Sequence, residues 1–298
     1  MSDSDSVTGI PLIESPSPSG SPEPSSSNKR KRDTDSKSEN KRAAKRKKTK
    51  KPKDITDDAL DTEAGLNHAI AHMDSQLLAD HVAQRTKRFQ TDLSMMELEE
   101  LQLPSSAIVD TTEFQDPRNL ENLPTFLEKY AGKEMSKKKK NRLQDAPQAK
   151  GTPHTLIVAG AGLRAADLTR AVRGFQTKEA KVAKLFAKHI KLSDAIQDAK
   201  KSRMNIGVGT PQRIMELLDD GKIVVDIGHR VPLLTQCSGA LSSSALERLV
   251  IDASHIDQKK RGVLDMKETQ PALIKLLTRT EFKDRYTSTE GRIQLLFY

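Results

Sequence analysis

The strongest constraint on the fold lies late in the chain, at Arg248-Leu249-Val250-Ile251-Asp252-Ala253-Ser254-His255. An apolar run without polar alternation ends abruptly in an acid. A strand buried on both faces reads as a continuous apolar run, whereas a strand with one wet face alternates. A carboxylate just beyond a buried strand sits at the carboxyl edge of a parallel sheet, where α/β folds bind their ligands. A helix over about Gln258 to Asp265 is expected to follow.

The neighbouring sequence repeats this unit. Thr155 to Ala159 reads as a short apolar strand, Gly160-Ala161-Gly162 as a turn, and Arg164 to Phe175 has helical spacing through Leu168, Val172 and Phe175. Lys181 to Phe186 alternates as a strand does, with a helix as the other reading. Ser193 is placed to cap a helix running through Lys201. Asn205 to Gly209 is a strand entering the turn Thr210-Pro211, and Gln212 to Leu218 is a helix stopping near Gly221. Pro271 opens a helix reaching about Tyr286, and Ile293 to Phe297 is a last strand. Alternating strands and helices imply an α/β domain over residues 151–298, a parallel sheet with right-handed crossovers and helices on both faces.

The preceding half is different. Only 35% of the chain is hydrophobic, low for a polypeptide folded throughout. Residues 1–53 are expected to be disordered. The first 28 are Ser, Pro and acid, with Ser2, Ser4 and Ser6 as candidate phosphorylation sites. Lys29 to Lys53 holds 14 Lys and Arg against 3 Asp and Glu. Lys29-Arg30-Lys31-Arg32 and, after a spacer, Lys45-Arg46-Lys47-Lys48 form two basic clusters. Paired clusters of this kind suit nuclear import and attract nucleic-acid phosphates without reading sequence.

Residues 54–103 are expected to be a helical extension. Leu66, Ile70, Met73, Leu77 and Leu78 recur at helical steps, and a second helix spans Ser94 to Leu101. They either pack on the domain or lie across a partner, and their polarity favours the partner. Residues 104–150 form an irregular segment and linker, with a helix from Leu120 to Tyr130 (apolar at Leu123, Phe126, Leu127 and Tyr130) and a basic loop at Lys137-Lys138-Lys139-Lys140. Residues 54–150 carry 18 acids against 12 bases, and residues 151–298 carry 24 bases against 16 acids. The basic character of the chain, +9 net, is therefore divided between the tail and the α/β domain.

Several classes fall away. A single cysteine, Cys237, excludes an intramolecular disulfide and a Cys-based zinc site, and reads as an inert thiol. Asp252 and His255 alone are too few for a metal site, and the acid is expected to be satisfied by backbone or an arginine. Aromatic residues are 3% with no Trp, so base stacking is not the expected mode of nucleic-acid binding. No stretch of about twenty apolar residues suggests a membrane span, and no secretory signal is visible at the start.

Taken in order, Ala161 to Arg164, Val208-Gly209-Thr210-Pro211-Gln212-Arg213-Ile214, Leu249 to Asp252 and Gln294-Leu295-Leu296-Phe297 resemble the first RecA-like domain of DEAD-box RNA helicases. The likeness runs from about Pro153 to Tyr298. Lys184-Leu185-Phe186-Ala187-Lys188-His189-Ile190-Lys191, together with a basic Ser-rich tail before one such domain, is closer to a small nucleolar family of degenerate DEAD-like proteins. That family associates with the early small-subunit pre-ribosome, and its yeast member is named as a suppressor of a replication-factor mutant. The resemblance implies a partner set of pre-ribosomal RNA and small-subunit assembly proteins, a nuclear and nucleolar location, and RNA contacts at Arg164, Thr210, Pro211 and Arg213. A Thr hydroxyl, N–H groups at a helix start and a guanidinium fork suit phosphate oxygens. Gln212 stands where the helicases have Gly, which crowds that approach.

Enzymatic activity is not expected. Phosphoryl transfer needs a phosphate cradle, a Lys, a metal and a group that orients water. The cradle string G-x-x-x-x-G-K-[ST] occurs nowhere in the chain. In the acidic motif Asp252 matches, but Ala253 replaces the catalytic Glu of the helicases and His255 their last Asp. The reading is a non-enzymatic ribosome assembly factor that takes no cofactor, metal, membrane or small-molecule substrate. The alternatives are an active helicase-like ATPase and a DNA- or chromatin-linked nuclear protein.

Overall fold

The computed structural model describes residues 59–131, 142–187, 190–220 and 239–298. The basic clusters, Lys137 to Lys140, Gly221 and Cys237 lie outside the described residues.

Strands β1 (Leu60–Asp61) and β2 (Leu66–Asn67) form a short antiparallel hairpin, turned by Gly65 at φ +67, a backbone region that costs glycine nothing. A 3-10 turn over His68–His72 leads to helix α1, Ser75–Phe89. The Asp74 carboxylate accepts the Leu77 N–H at 2.8 Å to cap it, and Lys87 and Arg88 complement its last turn. Helix α2, Met95–Glu100, opens with a reciprocal capping box between Ser94 and Glu97. Helix α3 is Leu123–Ala131. The remaining elements are β3 (Thr155–Val158), α4 (Gly162–Ala171), β4 (Lys181–Leu185), α5 (Leu192–Lys201), β5 (Met204–Gly209), α6 (Pro211–Asp219), β6 (Arg248–Ile251), α7 (Gln270–Leu277), α8 (Thr280–Tyr286) and β7 (Gln294–Phe297).

The last five strands make a parallel sheet in the order β4-β5-β3-β6-β7. Ile157 stands in register with Val208 on one side and Val250 on the other. Side chains leave alternate faces and build two cores. Leu156, Val158, Leu249, Ile251 and Leu295 pack against α1, α6, α7 and α8. Ile157, Val208, Val250 and Leu296 pack against α3 and α4. The expected parallel sheet with helices on both faces is present. Beyond β7, Ile108 adds a single parallel bridge to Leu295, with the Val109 N–H donating to the Leu295 carbonyl at 2.9 Å.

Local expectations differ from the structure in five places. Leu66 lies on a strand, not a helix, because the Gly65 turn folds the hairpin before the helical spacing takes over. The segment expected to lie across a partner packs on the domain instead. Ile70, Leu78 and Val82 are core residues, and buried Gln270 on α7 donates to Thr86 on α1 at 3.1 Å. All described residues belong to one compact unit, Lys53–Tyr298. Asp257 caps the Lys259 and Arg261 N–H groups and pairs with the Arg261 side chain, so residues 258–265 form turns rather than a helix. Ser193 sits inside α5, whose cap position is Lys191. The helix expected from Pro271 to Tyr286 is broken at Thr278, whose hydroxyl takes the Ile274 carbonyl, and Arg279 leaves helical geometry to pair with Asp219.

Candidate functional site

The connection leaving β3 runs to one side of the sheet and that leaving β6 to the other. Adjacent strands whose connections diverge leave a crevice outside their carboxyl ends, the usual ligand position in open α/β sheets. In this protein the chain fills that crevice with its own side chains. Val158 ends β3, Gly160 turns the chain, and α4 begins at Gly162, so Arg164 falls on its first turn facing β6. Asp252 follows β6 directly. The Arg164 Nε lies 2.7 Å from Asp252 Oδ2 and its Nη2 3.0 Å from Oδ1. This fork-to-fork pair is buried, with Asp252 2% and Arg164 9% exposed.

The main chain of the rest of the acidic motif is also occupied. The Ala253 and Ser254 N–H groups both donate to the Tyr298 carbonyl, the Ser254 carbonyl accepts the Asn67 N–H, and the Ile256 N–H donates to Gly65. The β1-β2 hairpin therefore clamps the end of the motif. Burial and the Arg164 cation hold the His255 imidazole below its ordinary pKa. Gly160 is pressed under the loop after β6: a Cβ there would stand 3.3 Å from Met266 Sδ, and the Gly160 carbonyl accepts the Thr269 hydroxyl. Gly160 in this turn therefore serves close packing against the loop after β6.

A second arginine seals the adjoining edge. Arg118, 2% exposed, donates to the Phe297 carbonyl at 2.6 Å, to the Thr111 carbonyl at 3.1 Å and hydroxyl at 2.9 Å, and to the Ala71 carbonyl at 3.4 Å. Burial pushes its pKa down to about 10, so it remains a cation at neutral pH. It ties the end of β7 to the segment after the Val109 bridge. The space left between them and the hairpin is a pocket of about 100 Å³ lined by Asn67, His68, Arg118 and Ser254 among others. Small-molecule sites are roughly 300–1,000 Å³. Among the described residues no cluster of three or more His, Cys, Asp or Glu is placed to hold a metal, and no helix is long and apolar enough to cross a membrane.

The residues expected to meet RNA do not form one open edge. Arg164 is committed to Asp252, which is the arginine partner anticipated for that acid. Pro211 is buried in the first turn of α6, and Thr210 is half-buried with its N–H donating to the Leu185 carbonyl. Arg213 is 8% exposed, 3.2 Å from Glu216 and not aligned with it as a hydrogen bond. Gln212, in place of the helicase Gly, bonds Glu216 at 3.1 Å. Sequence reasoning missed Arg118 altogether. It lies in an irregular stretch, and its partners are mostly main-chain carbonyls, which leave no mark in a sequence.

Fold and site together define a class: a parallel α/β domain whose switch-point crevice is occupied by its own side chains. Over residues 24–233 and 222–298 the sequence matches the family described as CMS1, a U3-containing 90S pre-ribosomal complex subunit, and the chain belongs to that family. It is the family anticipated from Lys184 to Lys191 and the basic tail before a single α/β domain, and its description places it in ribosome assembly. Relatives include Protein CMS1 of Chaetomium thermophilum, 51% identical over 85% of this chain and 92% of that protein. Protein cms1 of Schizosaccharomyces pombe is 27% identical over 74% of this chain and 69% of its own length. Human Protein CMSS1 is 31% identical over 61% of this chain and 55% of that one. Among solved structures, a DEAD box protein from Methanococcus jannaschii aligns with a TM-score of 0.30 and 13% identity, over 52% of this chain and 33% of its own.

Proposed function

We propose that the protein is a non-enzymatic assembly factor of the early small-subunit pre-ribosome, working in the nucleolus. Its α/β domain docks to pre-ribosomal RNA and assembly proteins, and its extended N-terminal region tethers it. The observation that carries this reading is the crevice between β3 and β6. A nucleotide there needs free donors for its phosphates and an acid free to hold its metal. Arg164 and Asp252 neutralise each other, Arg118 is spent on main-chain carbonyls, and Ala253 has no proton to give or take. Family membership supports the assembly role.

Attraction to RNA comes in this reading from Lys29 to Arg32 and Lys45 to Lys48, because, of the folded candidates, Arg164 is taken up by Asp252 and Arg213 is buried beside Glu216. The same clusters serve import. The test is calorimetric titration of the full chain with ATP-magnesium and with single-stranded RNA at two salt concentrations. The reading expects no heat with nucleotide, and RNA affinity that falls as salt rises, with a log–log slope of about −0.7 per phosphate neutralised. Micromolar ATP binding abolished by Asp252→Ala would overturn it in favour of a helicase-like ATPase. Recovery of DNA rather than RNA after crosslinking in cells would favour a chromatin protein. Reversing both basic clusters is expected to lower RNA affinity and to shift a fluorescently tagged protein out of the nucleus.

A further inference from the structure

Beside the sealed crevice the domain carries an open groove on the side where the sheet ends. It is about 630 Å³, within the range of built binding sites. One wall is the end of α4 and the 3-10 turn after it, through Arg170, Arg173 and Gln176. The other is β4, through Lys181 and Lys184. Ala166, Val182, Phe186 and Ile190 form its floor.

The charged residues in the described lining, Arg170, Arg173, Lys181 and Lys184, are all cations. Arg170 and Lys181 make only exposed pairs, with Asp167 and Asp198, and exposed pairs of this kind contribute ~0–1 kcal/mol. Among the described residues, Arg173 and Lys184 have no carboxylate partner and the groove's lining includes no acid. No strand pairs with β4 on its outer side among the described residues.

We propose that this groove binds an acidic peptide of alternating carboxylate and apolar side chains, carried by an assembly protein. The proposal rests on the docking reading above and names the partner chemistry for one face of the domain. Four cations around an apolar floor match carboxylates at the rim and aliphatic side chains beneath them, spaced as an extended strand presents them. An RNA strand fits less well. Sequence-tolerant RNA grooves offer aromatic faces for stacking, and the one aromatic among the described lining residues, Phe186, is 6% exposed and packed into the core.

The probe is a fluorescent twelve-residue peptide of alternating Glu and Leu, titrated into the full chain alongside a twelve-nucleotide uridine RNA. The full chain is compared with Arg173→Glu/Lys184→Glu and with Lys45→Glu/Arg46→Glu, which alters the tail. Circular dichroism confirms the fold of each. The groove reversal is expected to weaken the Glu/Leu peptide at least tenfold and to leave RNA within twofold, while the tail reversal weakens RNA. A peptide of Glu and Ser is expected to bind at least fivefold more weakly than Glu/Leu, reporting the apolar floor. Unchanged Glu/Leu affinity in the groove reversal overturns the proposal, and so does a loss of RNA affinity as large as the loss of peptide. Neither result touches the assembly role itself, which is read separately by co-sedimentation of the variants with pre-ribosomal particles.

Discussion

The buried pair Arg164–Asp252 makes the sharpest prediction, because it separates a sealed crevice from a working one. Removing either partner strands a charge at a site where both side chains are nearly inaccessible, which costs about 3–5 kcal/mol. A compact unit of this size, Lys53–Tyr298, loses about 2–4 °C of melting temperature per kcal/mol. Arg164→Met alone is therefore expected to lower Tm by roughly 6–20 °C, and Asp252→Leu alone by a similar amount. Together the two remove both charges and leave apolar groups of comparable volume, so the double variant is expected to lose less than either single change. Urea denaturation followed by circular dichroism supplies the four stabilities of the cycle. A cost below about 1 kcal/mol for Arg164→Met, additive with Asp252→Leu, would refute the reasoning and return Arg164 to the role of a free phosphate contact.

Three further outcomes follow from the structure. Arg118→Leu is expected to cost about 3 kcal/mol, because buried carbonyls of Phe297 and Thr111 lose a charged donor; a thermal melt measures it, and a change under 1 kcal/mol would show that water replaces the guanidinium. His154 is fully buried beside Thr155, and burial pushes its pKa down to about 4. The unfolded chain then binds this proton first, so stability falls by up to about 3 kcal/mol as pH drops from 6.5 towards 4. His154→Gln is expected to flatten that part of the profile in urea titrations at pH 7 and pH 5. Gly209→Ala puts a Cβ 2.0 Å from the Leu185 carbonyl, where β4 and β5 meet, and is expected to cost at least ~3 kcal/mol in the same assay.

Much of the sheet was legible because its strands are buried on both faces and read as uninterrupted apolar runs. Leu249 to Ile251 and Thr155 to Val158 need no partner to announce themselves. Helices with caps or an apolar stripe, such as α2 and α3, were visible for the same local reason. What escaped depended on pairs far apart in sequence. Nothing near Leu66 signals that its strand will bridge His255, so helical spacing prevailed in the reading. The stretch from Gln258 to Asp265 reads as a helix until the bonds between Asp257 and Arg261 are seen to replace it with turns. At the site, the acid after β6 was evident and its satisfaction by backbone or an arginine was expected, but Arg164 itself was assigned to RNA. Both roles demand the same residue in the same turn, and the structure shows the pair with Asp252.

The stitching of the early residues into the late strands has a consequence in time. Arg118 reaches Phe297 across 179 positions, and β2 meets His255. A chain made from its N-terminus thus presents Leu78, Val82 and Phe126 well before the strands that cover them exist. Contacts of such long sequence separation slow the search for the native state. The early helices therefore wait, uncovered, until translation delivers β6 and β7, and that interval is when the nascent chain most needs a chaperone to keep it from aggregating.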